Sequence, residues 1–254
     1  MRRLAWLVSM FVFITACQTV PYTHRKSLVL IPQSLELELG LNTYREILKK
    51  SRVSRNRKYN EMLNRVGRRI ARVANRPQYR WEFKVLKDDR VLNAFCLPGG
   101  KIAVYTGLMK LVSNDAELAT VVGHEVGHAI ARHGAERMSH LLLVQLGGMA
   151  LQEALKKKPH KTVQLAMIAY GVGTTLGIVL PYSRLQEYEA DRIGLILMAK
   201  AGYDPHAALS FWQKMYRRFK GKEPPEFLST HPLTKHRIER IKKLIPEAMR
   251  YYRR

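Results

Sequence analysis

The sequence predicts an α+β fold, mainly α-helical, with one domain over residues 41–254. Apolar residues recur at helical spacing along most of the chain, as at Met62, Leu63, Val66, Ile70 and Val73. Strand-like alternation is confined to one region. There Trp81, Phe83 and Val85 alternate with Glu82 and Lys84, and Ile102 and Val104 alternate again. No internal repeat divides the chain.

Residues 1–16 are laid out as a secretory signal: Met1-Arg2-Arg3, the apolar run LAWLVSMFVFI, then Ile14-Thr15-Ala16 before Cys17. The run is too short for an ordinary membrane span. Its ending resembles the bacterial lipobox, in which the cysteine is lipidated and becomes the mature N-terminus. A conventional signal peptide, or an anchor helix with a chance cysteine, is the alternative. Gln18 in place of aspartate favours the outer membrane, with the domain facing the periplasm.

Residues 17–40, with Pro21 and Pro32, read as an extended tether. Residues 41–74 read as helix, ended by Asn75-Arg76-Pro77. NAFCLPGGKIAVYTG gives two short strands around Pro98-Gly99-Gly100. Asn114 with Glu117 forms a capping-box pattern that opens a long helix. Residues 141–155 continue as apolar helix until Lys156-Lys157-Lys158-Pro159. Residues 163–180 carry no charge, and their length just reaches a membrane span. Gln164, two threonines and three glycines make a poor span, so a buried, Gly/Ala-packed core helix is expected. A further helix begins near Ser183 and closes at Gly202. Asp204-Pro205 starts another that runs to about Phe219. GKEPPEFLSTHP is a loop, and LTKHRIERIKKL a last basic helix.

The formal net charge is +24, or +22 once residues 1–16 and their two arginines are removed. Lysines and arginines are spread along the chain. Such a field favours polyanions, including anionic lipid, while a solvated basic surface is the plain alternative. No RNP signature, zinc-finger spacing or basic heptad region is present, so no nucleic-acid partner is expected. If Cys17 carries lipid, Cys96 has no partner in the chain, and its setting in AFCLPG suits a buried thiol.

VVGHEVGHAI, residues 121–130, holds the chemistry. Residues four apart lie on one face of a helix, so His124 and His128 can aim two imidazoles at one metal ion. Glu125, rotated by about 100°, stands beside the ion and can take a proton from a water held there. Chance gives HExxH in such a chain on the order of once in a hundred, so the motif alone does not settle the matter. As plain core helix it would bury two imidazoles and a carboxylate without partners, which is costly. Gly123 and Gly127 let another element approach closely. Catalytic zinc takes a third protein ligand and keeps one position open. In EYEAD, residues 187–191, Glu187 and Asp191 share a helix face while Glu189 points elsewhere. One of the pair can bind metal and the other can orient a ligand histidine. A charged helix N-terminus is the alternative reading.

HEVGH, the upstream NAFCLPGGKIAVYTGL and the later SRLQEYEADRIG and STHPLTKHRI stand in this order over roughly residues 40–245. Together they resemble the zinc metallopeptidases related to HtpX and the CAAX prenyl protease, and within them the soluble periplasmic lipoproteins of the LoiP and BepA kind. The resemblance implies an HExxH zincin (gluzincin) core with a small β-sheet whose edge strand borders the active-site helix. It implies one Zn2+ per chain on His124, His128 and Glu187, with Glu125 as base and Asp191 behind a ligand. The strand Lys101, Ile102, Ala103, Val104, Tyr105 resembles the edge strand that binds substrate backbone. His231 matches a histidine that can block the zinc, and Arg237 an arginine near that site. His231 can equally donate to the oxyanion, or lie on the surface with Ser229 or Thr230 capping the last helix. His133, His140, His160, His206 and His236 show no ligand spacing and read as surface or packing residues. The transmembrane helices of the HtpX branch and the C-terminal repeats of the BepA kind are not evident.

The function expected is a zinc endopeptidase that cleaves unfolded or misassembled envelope proteins. A chaperone-like assembly factor with a latent zinc site is the alternative. A polyanion-binding lipoprotein with a structural, four-ligand metal is a third reading.

Overall fold

The structure, a computed structural model, describes residues 17–221 and 225–253. The signal-like segment 1–16 lies outside the described residues.

The stretch expected as a tether is folded. β1 (Cys17–Thr19) and β2 (Lys26–Leu28) form an antiparallel hairpin, and α1 (Gln33–Lys50) follows. Polar anchoring overrides the open look of the sequence. The Arg25 guanidinium reaches buried Glu136 and Glu189, both at 2.6 Å. Leu30 N–H donates to Ser139 Oγ at 2.8 Å.

The helix expected over 41–74 is two helices, α1 and α2 (Arg57–Ala74). The sheet claims the residues between them: Val53 bridges Leu86, and Ser54 N–H donates to Val85 O at 2.7 Å. Asn56 then caps α2 by accepting from Tyr59 N–H.

The sheet has the order β3-β5-β4. β3 (Glu82–Leu86) runs parallel to β5 (Lys101–Tyr105), and β4 (Ala94–Leu97) pairs with β5 antiparallel. Gly99 and Gly100, at φ +85° and +80°, make the β4–β5 turn, a backbone that side chains resist. This corrects the placement of the substrate strand. Lys101–Tyr105 is the central strand, hydrogen-bonded on both sides, and the edge that borders the metal helix is β4.

After the short α3 (Thr106–Met109), α4 (Asp115–Ala131) runs through the centre of the domain. Asn114 caps it by accepting from Glu117 N–H at 2.9 Å, while the Glu117 carboxylate takes Ser113 N–H. Val121, Val122, Val126 and Ile130 bury it against Leu63, Val66 and Ile70 of α2. α4 ends at Arg132, whose φ of 59° is left-handed, and α5 (His133–Leu155) sets off in a new direction.

α6 (His160–Thr174), a π-helical turn (Thr175–Val179) and α7 (Leu180–Lys200) follow without a break at Ser183. Two short pieces, α8 (His206–Phe219) and α9 (Glu226–Thr230), lead to α10 (Lys235–Met249). α10 is capped by Thr234, which accepts from Arg237 N–H, and not by Ser229 or Thr230.

α4 and α7 cross at small residues. A Cβ on Gly123 would stand 2.9 Å from Gly194 O, and one on Gly127 2.9 Å from Ala190 O. This close crossing puts HEVGH face to face with EYEAD.

Residues 163–180 are not the core helix expected. Leu165, Ile168, Val172 and Leu176 are 54–62% exposed, and none of the most apolar window is buried. They pair with the outer part of α5, where Tyr170 fits against Gly147 and Gly148 and donates to Val144 O at 2.8 Å.

Candidate metal centre

α4 presents His124 and His128 on one face, with their Nε2 atoms 3.1 Å apart. α7 brings Glu187 opposite, with Oε1 3.2 Å from His128 Nε2 and Oε2 3.4 Å from His124 Nε2. The segment after α9 adds His231, whose Nδ1 lies 3.2 Å from His124 Nε2 and 3.0 Å from Glu187 Oε1. These four residues form one group of donors within 4.8 Å of each other.

The donors fit a metal ion on three counts. Tetrahedral ligands about 2.0–2.1 Å from an ion stand about 3.3 Å apart, close to the separations seen. Glu125, Glu187 and Asp191 face a single buried guanidinium, that of Arg237, and a divalent ion neutralises the two negative charges left over. Glu125 Oε1 is buried without a hydrogen-bond partner, as expected of a carboxylate waiting on a water or substrate.

Both ligand imidazoles are held from behind. Asp191 Oδ1 lies 3.0 Å from His124 Nδ1, and Arg237 clamps that carboxylate at 2.8 and 2.9 Å. Behind His128 stands His133, with the two Nδ1 atoms 2.8 Å apart, and His133 Nε2 reaches Glu189 at 2.9 Å. A metal on His128 Nε2 fixes the proton pattern: His128 Nδ1–H donates to His133, and His133 Nε2–H donates to Glu189. Arg25 and Thr23 of the N-terminal hairpin in turn donate to Glu189.

Burial lowers His128 well below its ordinary value, which keeps it neutral, as a metal donor needs to be. Burial also lowers His124, but Asp191 and Glu187 overcome this and raise it to about 9, a demand for positive charge at that corner. Glu187 is held far below the carboxylate range against burial by His124, His128 and His231. Burial raises Glu125, so its carboxylate takes up a proton readily.

His231 Nε2 lies 3.4 Å from Glu125 Oε1, so this histidine touches both the donors and the acid beside them. Arg237 also donates to His231 O and Pro232 O at 3.1 and 3.3 Å and stacks over Trp212 at 4.7 Å. β4 borders the centre across a cavity of about 310 Å3 that Glu125, His128 and His231 help to line.

The sequence reading placed His124, Glu125, His128, Glu187, Asp191, His231 and Arg237 at one site, and the structure brings all seven together. It missed His133, Glu189 and Arg25. His133 follows His128 by five, which on an unbroken helix faces away by about 140°. The left-handed Arg132 breaks the helix and turns His133 back. Glu189 does point away from the donors, as expected, but onto His133. Cys96 is half-buried on β4, and burial pushes its thiol up.

Two imidazoles and a carboxylate on one point, with a buried glutamate a step along the helix, define a metal-dependent peptidase of the HExxH class. The model of peptidase family M48 matches residues 57–245, and the chain belongs to that family. It is 40% identical over 175 residues to the mitochondrial metalloendopeptidase OMA1 of Arabidopsis thaliana, covering 68% of this chain and 34% of that protein. The Schizosaccharomyces pombe protein of that name is 31% identical over 241 residues, 93% of this chain and 68% of its own length. A putative beta-barrel assembly-enhancing protease of Vibrio cholerae is 31% identical over 187 residues, 70% of this chain and 37% of that protein. The chain thus spans about a third of the plant and Vibrio relatives and about two thirds of the yeast one. What it carries is a metalloendopeptidase domain; the mitochondrial relatives were not anticipated from the motifs.

Proposed function

We propose that this chain is a zinc endopeptidase that cleaves unfolded or misassembled proteins of the bacterial envelope, of the lipoprotein kind that LoiP represents. The observation that carries the reading is the buried Glu125 carboxylate, whose Oε1 makes no hydrogen bond and has His231 Nε2 at 3.4 Å, beside a set of His and Glu donors. Two imidazoles and a carboxylate favour zinc over harder ions. A lipid on Cys17 would hold the domain at the membrane facing the periplasm, and Gln18 favours the outer one.

The ion supplies Lewis acidity to the scissile carbonyl and to the attacking water. The rest falls to the chain. An unfolded segment adds as a strand to the outer edge of β4, which presents backbone groups without selecting a sequence. Glu125 accepts the proton of the water and returns it to the leaving amine, a role its burial favours. Asp191 and His133 keep the ligand imidazoles in the tautomers that free Nε2.

On this reading His231, whose Nδ1 stands among the donors and whose Nε2 lies 3.4 Å from Glu125, would occupy the open position of the ion and restrain the resting site. That feature favours the second reading, a chaperone-like assembly factor that binds strands and rarely cuts. A permanently four-liganded structural metal fits less well, because such a site has no use for Glu125. Casein cleavage by wild type, Glu125→Gln and His231→Ala, with bound zinc quantified, tests this. Cleavage by wild type or His231→Ala, lost in Glu125→Gln with zinc retained, supports the peptidase. Zinc in all three without cleavage replaces it with the chaperone.

A further inference from the structure

We infer that the outer part of α5 with α6 and the start of α7 is a membrane-inserted helical hairpin whose lysine tip reaches the far headgroups of an anionic phospholipid bilayer. Leu141, Leu142, Leu146 and Met149 on one arm and Leu165, Ile168, Val172 and Leu176 on the other are 40–66% exposed. Isolated exposed apolar residues are ordinary, but a surface covering two whole helices needs a partner.

Four observations make lipid the partner. Between Arg137 and Glu153 on one arm, and between Lys161 and Arg184 on the other, there is no Asp, Glu, Lys or Arg, and His140 is the one histidine. The second arm from His160 to Tyr182 spans about 34 Å at 1.5 Å per residue, against about 30 Å of hydrocarbon. Hydroxyls inside the arms are satisfied internally. Tyr170 donates to Val144 O, Thr174 to Tyr170 O and Thr175 to Gly171 O, which is what a medium without water requires. The arms meet at Gly147, Gly148 and Tyr170, the small-residue contact on which helices pack in lipid.

The tip carries Lys156, Lys157, Lys158 and Lys161 against the single acid Glu153, and so matches phosphates. The base of the hairpin lies beside the N-terminal anchor. Cys17 pairs with Leu28, and two residues on, Leu30 binds Ser139, where α5 leaves the domain. A lipid on Cys17 and the hairpin therefore leave one face of the molecule. This inference stands independently of the peptidase reading.

The test adds the full chain carrying Lys157→Cys to preformed vesicles of phosphatidylethanolamine and phosphatidylglycerol. A membrane-impermeant maleimide is applied before and after detergent, and labelling is counted above that of the parent chain. Arg217→Cys, on the domain surface, is the control. The tip is expected to label at least tenfold less than the control in sealed vesicles and equally after lysis. In Ile168→Lys/Val172→Lys, whose changes lie on exposed positions, the tip should label like the control while bound zinc is unchanged. Equal labelling of tip and control in sealed vesicles overturns the inference, as does a tip still protected in the double-lysine variant. Disulfide crosslinking between copies at Ile168→Cys, with a labelled tip, would assign the face to a second copy instead.

Discussion

His133→Phe keeps a planar aromatic ring, somewhat larger than imidazole, at a wholly buried position and removes both ring nitrogens. His128 Nδ1–H then loses its acceptor at 2.8 Å. An unsatisfied buried donor costs about 1–3 kcal/mol, and the ligand also loses the contact that fixes its ring. Glu189 keeps Arg25 and Thr23, so its own loss is partial. Losing such a partner behind a ligand typically weakens metal binding by about 10–100-fold, or about 1.4–2.7 kcal/mol. The assay is competition for zinc against a chromogenic chelator, with near-ultraviolet circular dichroism to confirm packing. Glu189→Gln should lose only a few-fold, because the amide oxygen still accepts from His133. A zinc affinity for His133→Phe within about threefold of wild type, with packing intact, would refute the role given to this chain of contacts.

Glu189 sits at about 2 against an ordinary 4.5; burial alone would raise it, but His133, Arg25 and Thr23 hold it charged. A depressed carboxylate stabilises the fold fully above about pH 4.5 and loses that contribution as pH falls toward 2, up to about 3 kcal/mol. The stability gap between wild type and Glu189→Gln, followed by circular dichroism, should close over that window; a constant gap contradicts it. Gly127→Ala puts a Cβ 2.9 Å from Ala190 O and should cost about 1–3 kcal/mol in urea unfolding. Gly171→Ala meets nothing within 4 Å and should be neutral or stabilising by up to about 1 kcal/mol. Chelation should lower Tm in wild type and in Glu125→Gln alike, because Glu125 is not a donor.

The candidate metal centre was legible because its geometry is local. His124 and His128 share a helix face by spacing alone, and Glu187 and Asp191 do so again on α7. Gly123 and Gly127 announced a close approach, and the structure supplies its other side at Ala190 and Gly194. What was missed depends on breaks in periodicity. No residue type marks Arg132 as left-handed; its guanidinium holds the bend by reaching Glu36, Gln18 and Ile31 O, partners about a hundred residues away. The order of the sheet was missed for a similar reason. β3 and β5 pair directly in parallel although β4 lies between them in the sequence, and alternation says which residues form strands, not which strand lies at the edge.

The uncharged segment 163–180 shows the limit of composition most plainly. Glycine and threonine counted against a membrane span, and in water they do suggest a packed core helix. Yet the threonines bond their own backbone and two glycines of the facing arm receive Tyr170, so the same residues serve a hairpin with an apolar outside. The consequence reaches the active site, because α7 is continuous from Leu180 to Lys200. Glu187 follows Tyr182 by five residues, about 8 Å along one rigid helix. His133 opens the other arm. A hairpin fixed in a bilayer would therefore fix the height of the metal centre close above it, and bias the strand edge of β4 toward segments that emerge from the membrane over chains free in solution.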